Sequence, residues 1–196
     1  MKIYFATSNK GKVANVAAAL KPFNISVEQI EMELAESRSE DPKDIALEKA
    51  RQAFKKIKKA LMVEDSGFFI SALNGFPMTH IKFSLKTLGL ENIMKLMAGV
   101  TDRRAEWRMT AAYVFGENDY RTFTFVERGE IAPEIRPVKR PTLSDLGRIY
   151  VPKTISNNKL ALSEMPDEIF QKFEDHYNTS NQFLKLGRWV KNNLMK

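Results

Sequence analysis

The chain has 196 residues, 43% of them hydrophobic, and no cysteine. This length allows one domain with a sizeable core, and the lack of cysteine excludes disulfides, thiolate metal sites and cysteine nucleophiles. The formal net charge of +7 favours anionic partners such as nucleotides or nucleic acid. No apolar run approaches the roughly 18 residues of a membrane span, and no signal-peptide pattern opens the chain. We therefore expect a cytoplasmic protein that does not span a membrane and forms a single domain, residues 1–196.

The first third of the chain alternates predicted strands with predicted helices. Apolar or alternating segments predict strands at residues 2–6, 25–31 and 61–63, the last ending abruptly at Glu64. Apolar residues at helical spacing predict a helix from about Gly11 that Pro22 ends, and a long helix that Pro42 opens. A strand, a polar loop and a helix in this order are typical of a phosphate site.

The remaining segments predict further helices and a long hairpin. Helices are predicted at about residues 81–88 and 91–97, and a last helix from about Ser180. Residues 104–115 and 120–131 have strand character and are joined by a polar turn, so they predict an antiparallel ribbon. The proline-rich residues 133–152 are predicted to be mostly loop. Together these segments indicate an α/β protein with a mixed sheet.

The segment Thr7-Ser8-Asn9-Lys10-Gly11-Lys12 lies at the first strand-to-helix junction. Free main-chain N–H groups and the helix dipole favour an anion at such a junction, and two lysines add positive charge. The segment lacks the first glycine and the final hydroxyl of a P-loop. Two interpretations stay open on these residues alone, a phosphate-binding loop and an ordinary helix cap with solvated lysines.

Glu64 and Asp65 are adjacent carboxylates after an apolar strand. Their side chains point to opposite sides if the strand continues, so only one of them would face a given cleft. Glu36 is a further candidate oxygen ligand in the loop after the second strand. Mg²⁺ needs only one or two protein carboxylates when phosphates and waters complete its octahedron. The alternative interpretation of the acidic segment is a capped turn.

These motifs in this order resemble the inosine triphosphate pyrophosphatase family. The similarity is carried by TSNKGK, an acidic loop, IALEKA, MVEDSGFFISALNGFP and IKFSLKTLG over residues 1–98, and more weakly by RGEI and SEM beyond. It implies hydrolysis of purine triphosphates such as ITP, dITP and XTP to monophosphate and pyrophosphate. It also implies an elongated mixed β-sheet with flanking helices, two lobes around a central cleft, and a homodimer.

The resemblance assigns roles to matching positions. It implies that Asp65 and Glu36 hold Mg²⁺, and that Asp65, helped by Glu64, orients or deprotonates the attacking water. It further implies that Lys12, Lys49 and Lys82 neutralise the charge that builds up on the triphosphate, with Lys12 as the second catalytic residue. The positions implied to bind substrate are Thr7, Ser8, Asn9, Lys10, Lys12, Lys49, Ser66 and Lys82.

The chain departs from the family pattern where the family reads the base. The aromatic-Gly-aromatic-Asp-Pro stretch should align near residues 144–148, where the ring and the aspartate are missing. The Ser-His-Arg motif appears as residues 180–182, Ser-Asn-Gln. Phe170 stands in place of a lysine, and Met78 in place of a turn glycine. We therefore expect altered base recognition, with a pocket shaped by Leu143, Leu146 and Tyr150.

Three functions are consistent with the sequence. The first is an active pyrophosphatase with altered base choice, and the second is a nucleotide-binding relative that has lost turnover. The third is a basic nucleic-acid-binding protein on the same scaffold, suggested by the net charge and by Arg136, Lys139, Arg140 and Arg148. Release of pyrophosphate would distinguish the first function from the other two.

Overall fold

The computed structural model describes residues 1–35 and 37–195, with the side chain of Lys10 also outside the description. Within these residues lies a seven-stranded mixed sheet with flanking helices. The strands are β1 Lys2–Ala6, β2 Ser26–Ile30, β3 Leu61–Ile70, β4 Pro77–Met78, β5 Arg104–Val114, β6 Tyr120–Ile131 and β7 Tyr150–Pro152. The helices are α1 Lys10–Leu20, α2 Pro42–Ile57, α3 Ile81–Thr87, α4 Gly89–Leu96, α5 Asp167–Ser180 and α6 Gln182–Leu194. The strand order is β2-β1-β3-β5-β6-β7, with β4 paired to β3. The predicted α/β class with a mixed sheet is confirmed.

The chain divides into two compact units. The first contains residues 1–66, 109–125 and 178–196, and the second contains residues 67–108 and 126–177. No helix among the described residues is long and apolar enough to cross a membrane.

In the first unit, helices cover both faces of the parallel strands. β1 pairs in parallel with β2 and with β3, and successive residues of β1 face opposite sides. Ile3 and Phe5 pack in one core with residues of α1 and α6, whereas Ala6 packs in another core with residues of α2. A fully buried parallel sheet is the expected result of covering both faces.

Helix α2 begins and packs as its sequence predicts. The Asp41 side chain accepts a hydrogen bond from the main-chain N–H of Lys43 at 2.8 Å, and Pro42 occupies the first turn. Both features favour a helix start. Ala46, Ala50 and other small residues on its inner side are fully buried, so the helix lies close to the sheet.

The second unit is built on a cluster of aromatic rings. The ring centroids of Phe68 and Trp107 lie 4.8 Å apart, and those of Phe68 and Tyr150 lie 5.6 Å apart. β7 pairs with β6, where Gly129 lies opposite Pro152. A Cβ atom on Gly129 would come within 2.4 Å of the Tyr150 ring, so this position requires glycine.

Two segments differ from the sequence-based expectation. The strand predicted to end at Val63 continues to Ile70, because β3 keeps its sheet partners beyond the polar residues Glu64 to Ser66. The last helix is preceded by α5, which the sequence pattern did not predict. None of the residues of α5 is fully buried, which explains why its apolar pattern was weak.

Candidate active site

The loop between β1 and α1 is closed by its own hydrogen bonds. The Thr7 hydroxyl accepts from the main-chain N–H of Asn9 at 3.1 Å, and the Asn9 side chain accepts from the main-chain N–H of Lys12 at 3.2 Å. Asn9 is therefore the N-cap of α1, a position that asparagine favours. Ser8 is exposed beside it. The predicted strand-to-helix junction is confirmed, and phosphate binding by these residues stays a prediction.

The side chain of Lys12 leaves the first turn of α1 and meets Glu64 on β3. The Lys12 Nζ lies 2.5 Å from Glu64 Oε2. The Glu64 side chain is only 5% exposed, whereas the Lys12 side chain is 30% exposed. The pair therefore joins a buried carboxylate to a lysine side chain that is partly exposed.

A second ion pair joins α2 to the next residue of β3. The Lys49 Nζ lies 2.8 Å from Asp65 Oδ2, with the two side chains 12% and 18% exposed. Asp65 Oδ1 accepts a hydrogen bond from the main-chain N–H of Ser66 at 2.9 Å. The Asp65 carboxylate is thus held in a fixed orientation, with a cation already on one of its oxygens.

The two carboxylates lie on opposite faces of the sheet. β3 continues through both residues, so their side chains alternate. Glu64 meets the lysine of α1, the helix whose core contains Met62, and Asp65 meets the lysine of α2, the helix whose core contains Val63. The expectation that Glu64 helps Asp65 with the attacking water is wrong, because Glu64 points away from Asp65 and is engaged with Lys12.

All four charges nevertheless interact. Burial alone would lower the pKa of Lys12, but the charge and hydrogen bond of Glu64, together with the charge of Asp65, raise the pKa above its usual value. Lys49 acts in the opposite direction on Lys12. Lys12 therefore stays protonated at neutral pH. The formal charges of the two lysines and the two carboxylates cancel, and each lysine is held in place by a carboxylate.

The other predicted site residues have separate outcomes. Lys82 lies exposed on α3, in the second unit. Glu36 and the side chain of Lys10 lie outside the described residues. The structure thus brings together Lys12, Lys49 and Asp65, and it adds Glu64 as the partner of Lys12. Continuation of β3 was the signal that could have identified this pair, because it decides which helix each carboxylate faces.

The segments expected to read the base are used for packing. Ser144 accepts a hydrogen bond from the main-chain N–H of Leu146 at 3.3 Å and starts a short 3₁₀ turn. Leu146 and Tyr150 are fully buried, whereas Leu143 is 87% exposed. The predicted pocket of these three residues is therefore wrong, because two of them belong to the core. In the first unit, Asn181 is the buried N-cap of α6.

Two further departures have clear structural consequences. Met78 adopts a φ of 55°, a left-handed conformation that favours glycine, so its position is a glycine position occupied by a bulkier residue. The Phe170 ring is covered by the guanidinium of Arg140, 3.6 Å from the ring centroid. That face of the ring is already occupied by Arg140.

A cavity of about 760 Å³ lies in the second unit, away from the predicted site residues along the chain. It is lined by the end of α4, residues 97–100, Arg103 and residues 133–135. None of the predicted site residues lines it. The charge cluster, which contains three of the predicted residues, is therefore the stronger candidate for the active site.

Comparison with known proteins identifies the family. The model of the Ham1 family matches residues 3–185. The chain belongs to the Ham1 family. A Ham1 relative from Pyrococcus horikoshii, named dITP/XTP pyrophosphatase, is 38% identical over 136 residues, which cover 69% of this chain and 73% of the relative. A dITP/XTP pyrophosphatase from Pyrobaculum aerophilum is 31% identical over 204 residues and covers both chains completely. The resemblance that the motifs predicted is confirmed.

Solved Ham1 structures support the same fold. The structure of a nucleoside-triphosphatase, also named dITP/XTP pyrophosphatase, from Mycobacterium abscessus matches with a TM-score of 0.74 at 21% identity, over 90% of this chain and 94% of that one. The Staphylococcus aureus Ham1 protein matches with a TM-score of 0.73 at 17% identity, over 100% of this chain and 98% of that one. The fold is therefore that of Ham1 proteins.

Proposed function

We propose that residues 1–196 act as one Mg²⁺-dependent nucleoside triphosphate pyrophosphatase. Its substrates are aberrant purine nucleoside triphosphates, the class named for its dITP/XTP relatives. The observation that carries the proposal is the cluster of Lys12, in the first turn of α1, with Lys49 and Asp65, whose charges act on it. Such a cluster combines cations for a polyphosphate with a carboxylate for a metal or a water.

The lysines bind the triphosphate with the ammonium N–H groups that their carboxylate partners leave free. Lys12 lies in the first turn of α1 and Lys49 lies on α2, and each ammonium is held by a carboxylate within 2.8 Å. A phosphate oxygen offers the same charge-assisted hydrogen bond as a carboxylate. Thr7, Ser8 and Asn9 form the loop before α1, and Lys10 is the first residue of that helix. These four residues, with Ser66 and Lys82, complete the proposed substrate contacts.

Asp65 is the proposed catalytic carboxylate. It orients a water for attack on the α-phosphorus and accepts the proton that this water loses. The new bond joins the water oxygen to the α-phosphorus, and the bond from the α-phosphorus to the bridging oxygen breaks. Pyrophosphate leaves with that oxygen, and Lys12 stabilises the negative charge that develops on it.

Asp65 is the described residue that would hold Mg²⁺ together with the nucleotide phosphates. Asp65 already holds a cation, the Lys49 ammonium, on Oδ2. The described part of the chain contains no group of three or more acidic or histidine side chains that could form a complete metal site. Mg²⁺ bound with a nucleotide needs only one or two carboxylates, which we assign to Asp65 and Glu36. The metal would supply charge neutralisation on the phosphates.

Base recognition is proposed to differ from the family pattern. A site discriminates between bases when its buried polar groups pair with the right edge and are left unpaired by the wrong one. Leu146 and Asn181 stand where the family pattern has polar or aromatic reading groups, and both are committed to packing or helix capping. We therefore propose weak preference among purine bases. A homodimer in the cytoplasm is the proposed assembly and location.

Pyrophosphate release tests this function. The chain is incubated with dITP, XTP, ITP, ATP and GTP, with Mg²⁺ or with a chelator, and pyrophosphate and orthophosphate are measured separately. The proposal expects pyrophosphate from at least one purine triphosphate in the presence of Mg²⁺ only. Nucleotide binding without pyrophosphate release would instead identify an inactive relative. Light scattering of the purified chain tests the dimer.

A further inference from the structure

Glu64 is a buried carboxylate that the mechanism above does not use. Its side chain is 5% exposed, and its described ion-pair partner is Lys12 at 2.5 Å. Removing a carboxylate from water is costly unless a partner compensates for it. A buried carboxylate such as that of Glu64 therefore needs a different explanation from a solvent-exposed salt bridge.

Comparison with other ion pairs of the first unit separates Glu64 from ordinary surface charges. Lys2 and Glu28 lie 2.7 Å apart with side chains 53% and 50% exposed, and Lys58 and Glu117 lie 2.9 Å apart with side chains 61% and 77% exposed. Both members of those pairs are in solvent. In the Glu64 pair, the carboxylate side chain is almost fully buried on β3, whereas the Lys12 side chain is partly exposed.

The buried Glu64 carboxylate restricts the position of the flexible Lys12 side chain. A lysine side chain has a flexible stem of four carbons, so an ammonium without a partner samples many positions. A fixed carboxylate on a central strand confines the Lys12 ammonium to one place beside the capped start of α1. Burial disfavours the charged ammonium, and the Glu64 carboxylate offsets that effect. Glu64 thus fixes both where the ammonium lies and that it is charged.

We propose that Glu64 is a positioning residue that holds the Lys12 ammonium ready for a phosphate group of the substrate. Glu64 acts through Lys12 and does not bind the metal or the attacking water, since its side chain lies on the opposite face of β3 from Asp65. The inference rests on the proposed function for its substrate. It assigns the two adjacent carboxylates of β3 to two different tasks.

A double-mutant cycle tests the proposal. The variants are Glu64→Gln, Lys12→Ala and the double variant, assayed for kcat and KM with the best triphosphate found. A charge-assisted contact of roughly 1.5–3 kcal/mol corresponds to about 10–150-fold, so each single variant should lower kcat/KM in that range. The double variant should be within about threefold of Lys12→Ala. A multiplicative loss would overturn the proposal, because Glu64 would then act independently of Lys12.

The metal dependence and a matched control complete the test. The Mg²⁺ concentration for half-maximal activity should be the same for Glu64→Gln and for the unsubstituted chain. If high Mg²⁺ restored the activity of Glu64→Gln, Glu64 would be a metal ligand and the proposal would be overturned. Glu28→Gln removes the carboxylate of a solvent-exposed Lys–Glu pair, and it should leave kcat and KM unchanged.

Two measurements keep the proposal testable if folding or turnover fails. Glu64→Asp keeps the charge but withdraws it by one methylene group, and it should fold and raise KM several-fold. Calorimetric binding of inorganic tripolyphosphate does not require turnover. If the unsubstituted chain binds tripolyphosphate but hydrolyses no nucleotide, the proposed function fails. The double-mutant cycle is then evaluated from the dissociation constants for tripolyphosphate. Additive losses of binding free energy in the double variant would overturn the role of Glu64.

Discussion

The buried carboxyl of Glu127 makes stability depend on pH. Glu127 lies on β6 and is 2% exposed. Its Oε1 accepts a hydrogen bond from the Thr154 hydroxyl at 3.0 Å, and its Oε2 is buried with no hydrogen-bond partner among the described residues. Burial raises the pKa of Glu127 from 4.5 to about 7, although the Thr154 hydrogen bond acts in the opposite direction.

The sign and size of the effect follow from proton linkage. Between pH 4.5 and 7 the folded chain keeps a proton on Glu127 that the unfolded chain has lost. The free energy of unfolding therefore falls as the pH rises through this range. A shift of about 2.5 units at about 1.36 kcal/mol per unit gives about 3 kcal/mol. This contribution is fully present below pH 4.5 and lost above about pH 7.

Glu127→Gln removes the ionisation and keeps an oxygen for Thr154. The free energy of unfolding is measured by urea denaturation at several values between pH 4 and 8 for both proteins. Relative to the unsubstituted chain, the variant should gain about 3 kcal/mol of stability from pH 4 to pH 8. Glu130→Gln, a partly exposed position on the same strand paired with Lys153, is the matched control and should change the pH dependence by less than about 1 kcal/mol. A constant difference between Glu127→Gln and the unsubstituted chain would refute the reasoning.

Three further predictions concern the site and the core. Asp65→Asn should reduce kcat to below about 1% while circular dichroism remains unchanged, since an amide cannot accept the proton of the attacking water. Preference for ITP or XTP over ATP and GTP, measured as kcat/KM at one Mg²⁺ concentration, should be under about tenfold, which is about 1.4 kcal/mol; a hundredfold preference would show that other residues read the base. Gly187→Ala should lower the free energy of unfolding by about 1–3 kcal/mol in urea, because the new Cβ would lie 2.3 Å from a carbon of the Phe23 ring.

The elements with strong local signals were predictable from the sequence. β1 has the predicted bounds, and α2 begins at Pro42 as expected, because an N-cap aspartate and a helical apolar pattern agree there. The hairpin of β5 and β6 follows from two long strand-like segments around a polar turn. Local propensity and hydrophobic period point to the same structure in these segments.

The full length of β3 was not predictable from local pattern. Glu64 to Ser66 interrupt an apolar run, and only pairing with neighbouring strands keeps those residues extended. α5 was missed because its apolar residues, Phe170 and Phe173 among them, are only partly buried and stand among polar and charged residues.

The sequence was sufficient to select the residues of the candidate site. It did not show which lysine pairs with which carboxylate. The order of the motifs identified Lys12, Lys49 and Asp65 through resemblance to a known family. Which carboxylate each lysine meets depends on the faces of the sheet covered by α1 and α2, and this is a property of the assembled core. The pairing of Glu64 with Lys12, on which its proposed role rests, could therefore be inferred only from the folded β3.

The position of water attack is the most direct test of the central claim. The chain is incubated with dITP and Mg²⁺ in ¹⁸O-labelled water, and the products are analysed by mass spectrometry. The account predicts one ¹⁸O atom in the phosphate of the nucleoside monophosphate and none in pyrophosphate. Label in pyrophosphate, or orthophosphate as the first product, would contradict attack on the α-phosphorus and the assignment of this site as a nucleoside triphosphate pyrophosphatase.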